Sequence, residues 1–398
     1  MTLTKPLAEL AVDFGANVQP GQIVYVQADV GHEELVRAIA EHAYRRGARF
    51  VDAAYFDPHV KRARIEHAAD DTLDYVPPWY AERLLALGEQ RCARISITGP
   101  TEPHLFDDAN PARAGRDLLP RLKETSKVVN DRTTNWTIVP FPNPGWASVV
   151  HPDVDAGEAL ERLTEEMKYV LRLDEDDPVT AWRKRFERTG AAGATLTERR
   201  FDAVRFEGPG TDLTIGLLPS SRWASATFTT VDGIDHRPNL PSEEVFTTPN
   251  PQRADGVVSA TKPLVFADGS VVRGLTVRFE GGRAVAVDAD EGAENLRTRC
   301  GKDEGGVRLG EVALVDREGR IGPLGTVFYD TLIDENAASH IALGNSIAIG
   351  VEDEADRARL NESAVHIDFM IGGDDVDVTG IGRGGEAVPI LRSGAWQI

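Results

Sequence analysis

Imidazoles and carboxylates recur together in four stretches of this chain, and each stretch could contribute a ligand or a proton carrier. The segment His366-Ile-Asp-Phe-Met-Ile371 alternates with period two. On a strand that pattern sends Ile367, Phe369 and Ile371 to one side and His366, Asp368 and Met370 to the other. A His and an Asp projecting together from an apolar strand cost desolvation energy unless a cation or a partner satisfies them. The segment Asp334-Glu-Asn-Ala-Ala-Ser-His-Ile-Ala-Leu-Gly344 reads as a helix with Asp334 as N-cap, Glu335 at its entrance and His340 more than a turn further on. In Asn239-Leu-Pro-Ser-Glu-Glu-Val-Phe-Thr247, the adjacent acids Glu243 and Glu244 sit in extended chain and point to opposite sides. One can bind a metal while the other reaches bound water, a division suited to hydrolysis. The fourth, Leu309-Gly-Glu-Val-Ala-Leu-Val315, sets Glu311 at the head of an apolar strand.

Singly, each has an ordinary reading as a capped helix end, a solvated acid or a satisfied core pair. Together they supply four carboxylates (Glu244, Glu311, Glu335, Asp368) and two neutral imidazoles (His340, His366). Four negative charges balance two divalent cations, with one carboxylate bridging them. Such a pair, roughly 3.5–4 Å apart, generates a hydroxide and polarises a carbonyl. The oxygen-rich set accepts Zn, Co or Mn. No His-Glu-x-x-His occurs, which excludes the single-zinc helix site.

Two different textures must position these residues. The first half alternates strand and helix: Ile23–Val26, Arg49–Tyr55, Arg94–Thr98 and Thr137–Val139 as strands, with Glu33–Arg46 and the Leu84/Leu85 segment as helices. That predicts an α/β domain with a mainly parallel sheet. Two further helices, about Ala159–Leu173 and Val179–Arg188, lead to a small-residue stretch, Gly190–Thr195, read as a loop and domain boundary. Beyond it the pattern changes to hairpins, as in Leu275–Asp288. The expected organisation is an N-terminal α/β domain over 1–190 and a β-rich α+β catalytic domain over 191–398. The glycines of Gly380–Gly385 lie between alternating valines and read as a turn, and no Gly-x-Gly-x-x-Gly or phosphate loop follows a first-half strand. The histidines His32, His42, His59, His67 and His104 sit in polar contexts and are expected to face solvent. Trp136 and Trp146 flank Pro140–Pro144 and read as packing residues.

Composition narrows the partners. Over 398 residues there are 64 acidic and 44 basic side chains, a formal charge of −20. A field of that sign repels phosphate backbones and anionic lipid, which argues against nucleic-acid and membrane partners. Two distant cysteines, Cys92 and Cys300, exclude a disulfide framework and a zinc knot and suit a reducing cytoplasm. No apolar run of about 18 residues and no basic-then-apolar leader occurs.

The four chemistry-bearing stretches, in this order, resemble the M29 family of metallopeptidases. The matching pieces are Asn239–Pro249, Leu309–Val315, Asp334–Gly344 and His366–Gly372, with looser similarity in Glu34–Ala38, Gly47–Val51, Phe201–Arg205 and Gly208–Asp212. The resemblance spans nearly the whole chain. It implies a cytoplasmic, homodimeric aminopeptidase with two divalent metal ions, acting on peptides with a free N-terminus through a metal-bound hydroxide. By motif it carries over Glu244, Glu311, Glu335, His340, His366 and Asp368 as ligands, Glu311 as the bridge and Glu243 as base, proton shuttle or an acid supporting the ligands, with Glu243 and Glu244 interchangeable between the two roles. One position departs: seven residues after His340 the family motif has a tyrosine, and here stands Ile347. Losing an oxyanion donor costs about 10²–10³ in rate. The resemblance thus also accommodates a catalytically weakened metal- and peptide-binding relative, or a hydrolase of other amides.

Overall fold

The computed structural model describes the chain except residues 1–2, 115, 118, 120–122 and 267–269. It divides into two units, Met1–Trp182 with Thr227–Pro241, and Arg183–Ala226 with Ser242–Ile398. The first takes back a short segment that follows the start of the second. Gly190–Thr195 is not a loop, because the helix Pro178–Arg199 runs unbroken through it. Its small residues serve close packing. A Cβ on Gly193 would lie 3.0 Å from the Trp223 carbonyl oxygen and 3.1 Å from Val245 Cγ1.

The first unit holds a four-stranded sheet of β1 (Ile23–Asp29), β2 (Phe50–Phe56), β3 (Ala93–Thr98) and β4 (Asn135–Pro140). All pairs are parallel, in the order β2-β1-β3-β4. Between β1 and β2 the helix Glu33–Arg45 buries Leu35, Val36, Ile39 and Ala43 at helical spacing. It is stopped by Gly47, whose φ of 95° suits glycine. His59, His67 and His104 are exposed and His42 partly so, but His32 is fully buried, its ring edge-on to Phe141. Its polar sequence neighbours misled: His32 lies in the turn between β1 and the helix, facing inward. Trp146 is buried, and Trp136 packs by Phe228 and His236.

The second unit is antiparallel throughout its two large sheets. The strands of those two sheets are β5 (Ala203–Gly208), β6 (Thr211–Leu217), β7 (Ala224–Ser225), β8 (Glu244–Thr247), β9 (Pro249–Ser259), β10 (Thr276–Glu280), β11 (Arg283–Asp288), β12 (Leu309–Val315), β13 (His340–Gly344), β14 (His366–Met370), β15 (Asp377–Ile381), β16 (Ala387–Arg392) and β17 (Ala395–Trp396). One sheet has eight strands in the order β11-β10-β9-β6-β5-β15-β16-β17, and the other five, β14-β13-β12-β8-β7. Phe206, Leu213, Val258 and Phe279 of the first share one core with Val312, Ile341 and Phe369 of the second. The Gly380–Gly385 run turns between β15 and β16, as expected.

Asp334–Gly344 departs from the expected helix. A four-residue helix, Thr331–Asp334, and a 3₁₀ turn, Glu335–Ala337, give way to β13. Asp334 is not an N-cap; its carboxylate accepts the N–H groups of Phe328 at 2.8 Å and Asp330 at 3.2 Å. Ile341 and Leu343 then alternate into the core. Pairing on both sides of β13 outweighs the local helix propensity of the alanines.

Candidate metal centre

Register and the two-residue period place the candidate ligands on one face of the five-stranded sheet. Glu311 lies opposite Ala342, and Ala342 opposite Asp368; Ala313 lies opposite His340, and Val315 opposite Glu244. Directly opposed residues of antiparallel strands point the same way, and residues two apart share a face. Glu244, Glu311, His340, His366 and Asp368 therefore project together, while Val245, Val312, Ile341, Ile367 and Phe369 fill the core on the other side. A bulge between Leu309 and Glu311 shifts the register locally. Gly310 at the bulge lets the Asn345 carbonyl approach, since a Cβ there would meet it at 2.2 Å.

The ligand atoms form two overlapping groups, each within 4.8 Å: Glu244, Glu311 and His340; and Glu311, His366 and Asp368. Glu311 belongs to both. Bonds of ~2.1 Å to a cation span at most ~4.2 Å, so each group needs to contract by only about half an ångström. Nε2 of His340 lies 3.1 Å from Glu244 Oε2. Nε2 of His366 stands 3.1 Å from Glu311 and 3.4 Å from Asp368.

Both imidazoles are oriented from behind. Nδ1 of His366 lies 2.8 Å from the Asn345 carbonyl, and Nδ1 of His340 lies 3.2 Å from the Ala338 carbonyl. A carbonyl fixes the proton on Nδ1 and leaves the Nε2 lone pair facing the carboxylates, the arrangement expected of metal-binding histidines.

The electrostatics agree. Burial would push His340 down, but Glu244, Glu311 and Asp368 lift it to about 10. His366, exposed at the edge of the group, rises well above its usual value because Asp368 and Glu311 lie against it. Glu335 is pushed well up by burial and then by Asp368 and Glu244. Burial likewise raises Glu311, against its bond to His366. Asp368 is lowered, the two imidazoles outweighing its burial. In the absence of another cation, this pocket collects protons to offset its own carboxylates. A divalent cation can take their place, and the donor set fits one.

Glu335 is in neither three-residue group, yet its charge is felt by the same carboxylates and by His340. Glu243 is not brought into the cluster. The extended backbone sends its carboxylate away from Glu244 to pair with Arg185, and its Oε1 accepts the Arg320 N–H at 3.3 Å. Ile347 is half-buried just beyond Asn345, its carbonyl accepting the Thr248 hydroxyl at 2.6 Å. Sequence reasoning missed Arg185, although a signal was there: an arginine among Trp182, Phe186 and Thr189 on the buried stripe of its helix. It also missed that Ala313 and Ala342, the small residues between the ligands, form the floor of the site.

A family model described as thermophilic metalloprotease (M29) matches residues 2–396. The chain is 42% identical to aminopeptidase T of Thermus aquaticus over 400 residues, covering 98% of both proteins. It is 36% identical to aminopeptidase 2 of Geobacillus stearothermophilus, covering 98% of this chain and 96% of that protein. Wild-type AmpT from Thermus thermophilus, a solved structure, matches with a TM-score of 0.92 at 40% identity over 99% of each chain. With this likeness along its whole length, and a set of side chains on one sheet face that could hold metal, the chain belongs to the M29 family of metalloproteases.

Proposed function

We propose that this chain is an aminopeptidase with two divalent cations, Zn, Co or Mn, that removes N-terminal residues from peptides. The observation that carries the reading is the pair of ligand groups sharing Glu311. Glu244 and His340 would hold one cation and His366 and Asp368 the other, with Glu311 available to both and Glu335 beside them. Its named relatives, aminopeptidases along almost their whole length, supply the substrate class. The bound cations supply Lewis acidity toward the scissile carbonyl and acidify a water. The protein's own work is orientation: carbonyls of Ala338 and Asn345 hold the imidazoles, and the apolar underside of the sheet keeps each ligand strand in register. Glu243, expected by motif to act as base or proton shuttle, is paired with Arg185 directly behind Glu244. The family resemblance also carries a cytoplasmic homodimer, which light scattering of the purified protein tests.

Release of p-nitroaniline from Leu- or Ala-p-nitroanilide, abolished by chelator and restored by Co²⁺ or Zn²⁺, is the expected result. No chelator-sensitive release across a broad aminoacyl panel overturns the reading. Ile347 favours a second reading, a weakened relative that binds metal and peptide but turns over slowly, because isoleucine offers no hydrogen bond to an oxyanion.

A further inference from the structure

The helix Pro178–Arg199 brings a guanidinium into the interior of the second unit, where Arg185 keeps only 4% of its side chain exposed. It meets two carboxylates that are as deeply buried, Glu243 at 0% and Asp316 at 1%. Its Nε pairs with Glu243 Oε2, its Nη2 donates to the Glu243 main-chain carbonyl at 2.9 Å, and its Nη1 donates to both Asp316 oxygens at 3.1 and 2.9 Å. The position of these acids in the chain gives the contact its meaning. Glu243 immediately precedes Glu244, Asp316 immediately follows Val315, and Glu244 and Val315 face each other across β8 and β12.

The same backbone is held from its other side. Asn336 Oδ1 accepts the Glu243 N–H at 2.7 Å, and Asn336 Nδ2 donates to the Leu332 carbonyl at 3.1 Å, which fixes the amide. Asn336 adjoins Glu335. Asp316 is anchored in turn by the Glu318 N–H at 2.8 Å and by the Trp396 indole N–H. One buried fork thus joins the start of the strand that carries Glu244 to the end of the strand that carries Glu311, and through Glu243 it reaches the turn that carries Glu335.

We propose that Arg185 is a positioning residue of the metal centre, a clamp that pins β8 against β12 and so keeps Glu244 and Glu335 aimed at the cation. The inference rests on the metal reading of the cluster. Its physical basis is the period of a strand: a one-residue slip of β8 turns Glu244 onto the apolar face and Val245 onto the ligand face. Arginine suits the task because its planar fork serves four acceptor oxygens at once, which a lysine ammonium on a flexible stem cannot do with the same geometry. Arg185, as counter-ion of Glu243, also keeps that second acid from competing with Glu244 for the same cation.

The test is calorimetric titration of the metal-free full chain with Co²⁺, together with the visible absorption of the Co²⁺ form, for wild type, Arg185→Lys and Glu243→Gln. Each variant is expected to bind Co²⁺ about 10–100-fold more weakly, with altered band intensities. Variants that bind Co²⁺ as wild type does, with the wild-type spectrum, overturn the proposal even if their melting temperature falls, since that pattern belongs to a merely structural ion pair. If Arg185→Lys fails to fold, Glu243→Gln decides by the same criterion. Wild-type protein that takes up no Co²⁺ overturns the metal reading itself, and the clamp with it.

Discussion

Ala342 offers a test that adds no charge and removes no ligand. It is fully buried in β13 and lies between Glu311 on one neighbouring strand and Asp368 on the other, all on the same face. Neighbouring strands are ~4.8 Å apart, so the backbones of Glu311 and Asp368 stand ~9.6 Å apart and their side chains must converge over position 342. Their ligand atoms do so, within 4.8 Å. Ala342→Val pushes two methyl groups into that space. Valine favours strands, and burying two methyls stabilises by up to about 1.6 kcal/mol, against an overpacking cost of about 1–3 kcal/mol. The metal-free variant should therefore fold within about 1–2 kcal/mol of wild type and melt within several degrees of it. Metal affinity should instead fall by at least ~100-fold, the upper end of what indirect perturbation of a site costs. Metal analysis after dialysis, beside thermal melts of the metal-free forms, reads both quantities. A folded Ala342→Val protein with wild-type metal content would show that the cations do not sit over this part of the sheet.

Three other outcomes follow from the same geometry. Glu311→Gln should lose both cations because Glu311 serves both groups, whereas His340→Ala should keep the one held by His366 and Asp368; metal stoichiometry separates the two cases. Ile347→Tyr should raise kcat by about 10²–10³ at unchanged metal content if the missing donor limits turnover, and no gain would set aside the weakened-enzyme reading. Burial lowers His32 and His236 from about 6.5 to about 4. Below pH 6.5 the unfolded chain takes up protons that the folded one refuses, so each costs stability as pH falls, about 2 kcal/mol at pH 5 and levelling near 3 below pH 4. His236→Gln should accordingly lose less melting temperature than wild type between pH 7 and pH 5.

The strands of the site were legible where their side chains alternate cleanly. His366 to Ile371 read correctly because Ile367, Phe369 and Ile371 need a core, and Glu311 because a run from Val312 to Val315 has nowhere else to go. The opposed directions of Glu243 and Glu244 follow from extended chain alone, and the structure gives each its own partner, Arg185 and His340. What misled were small residues. Ala337, Ala338 and Ala342 suggested a helix and Gly190 to Thr195 a loop, yet the first group lies along a turn and a strand whose partners lie far off in sequence, and the second is a helix segment pressed against Trp223 and Val245. Local propensity cannot register either neighbour. For Arg185 the helical stripe signalled burial but not its partners, since its acceptors lie 58 and 131 residues away.

The central claim is a pair of cations sharing Glu311, and the most direct measurement is the number of divalent ions bound per chain when the metal-free protein is titrated to saturation. Two tight equivalents in wild type, falling to none in Glu311→Gln, is the predicted result. A single equivalent in wild type, or two that survive Glu311→Gln, would contradict it.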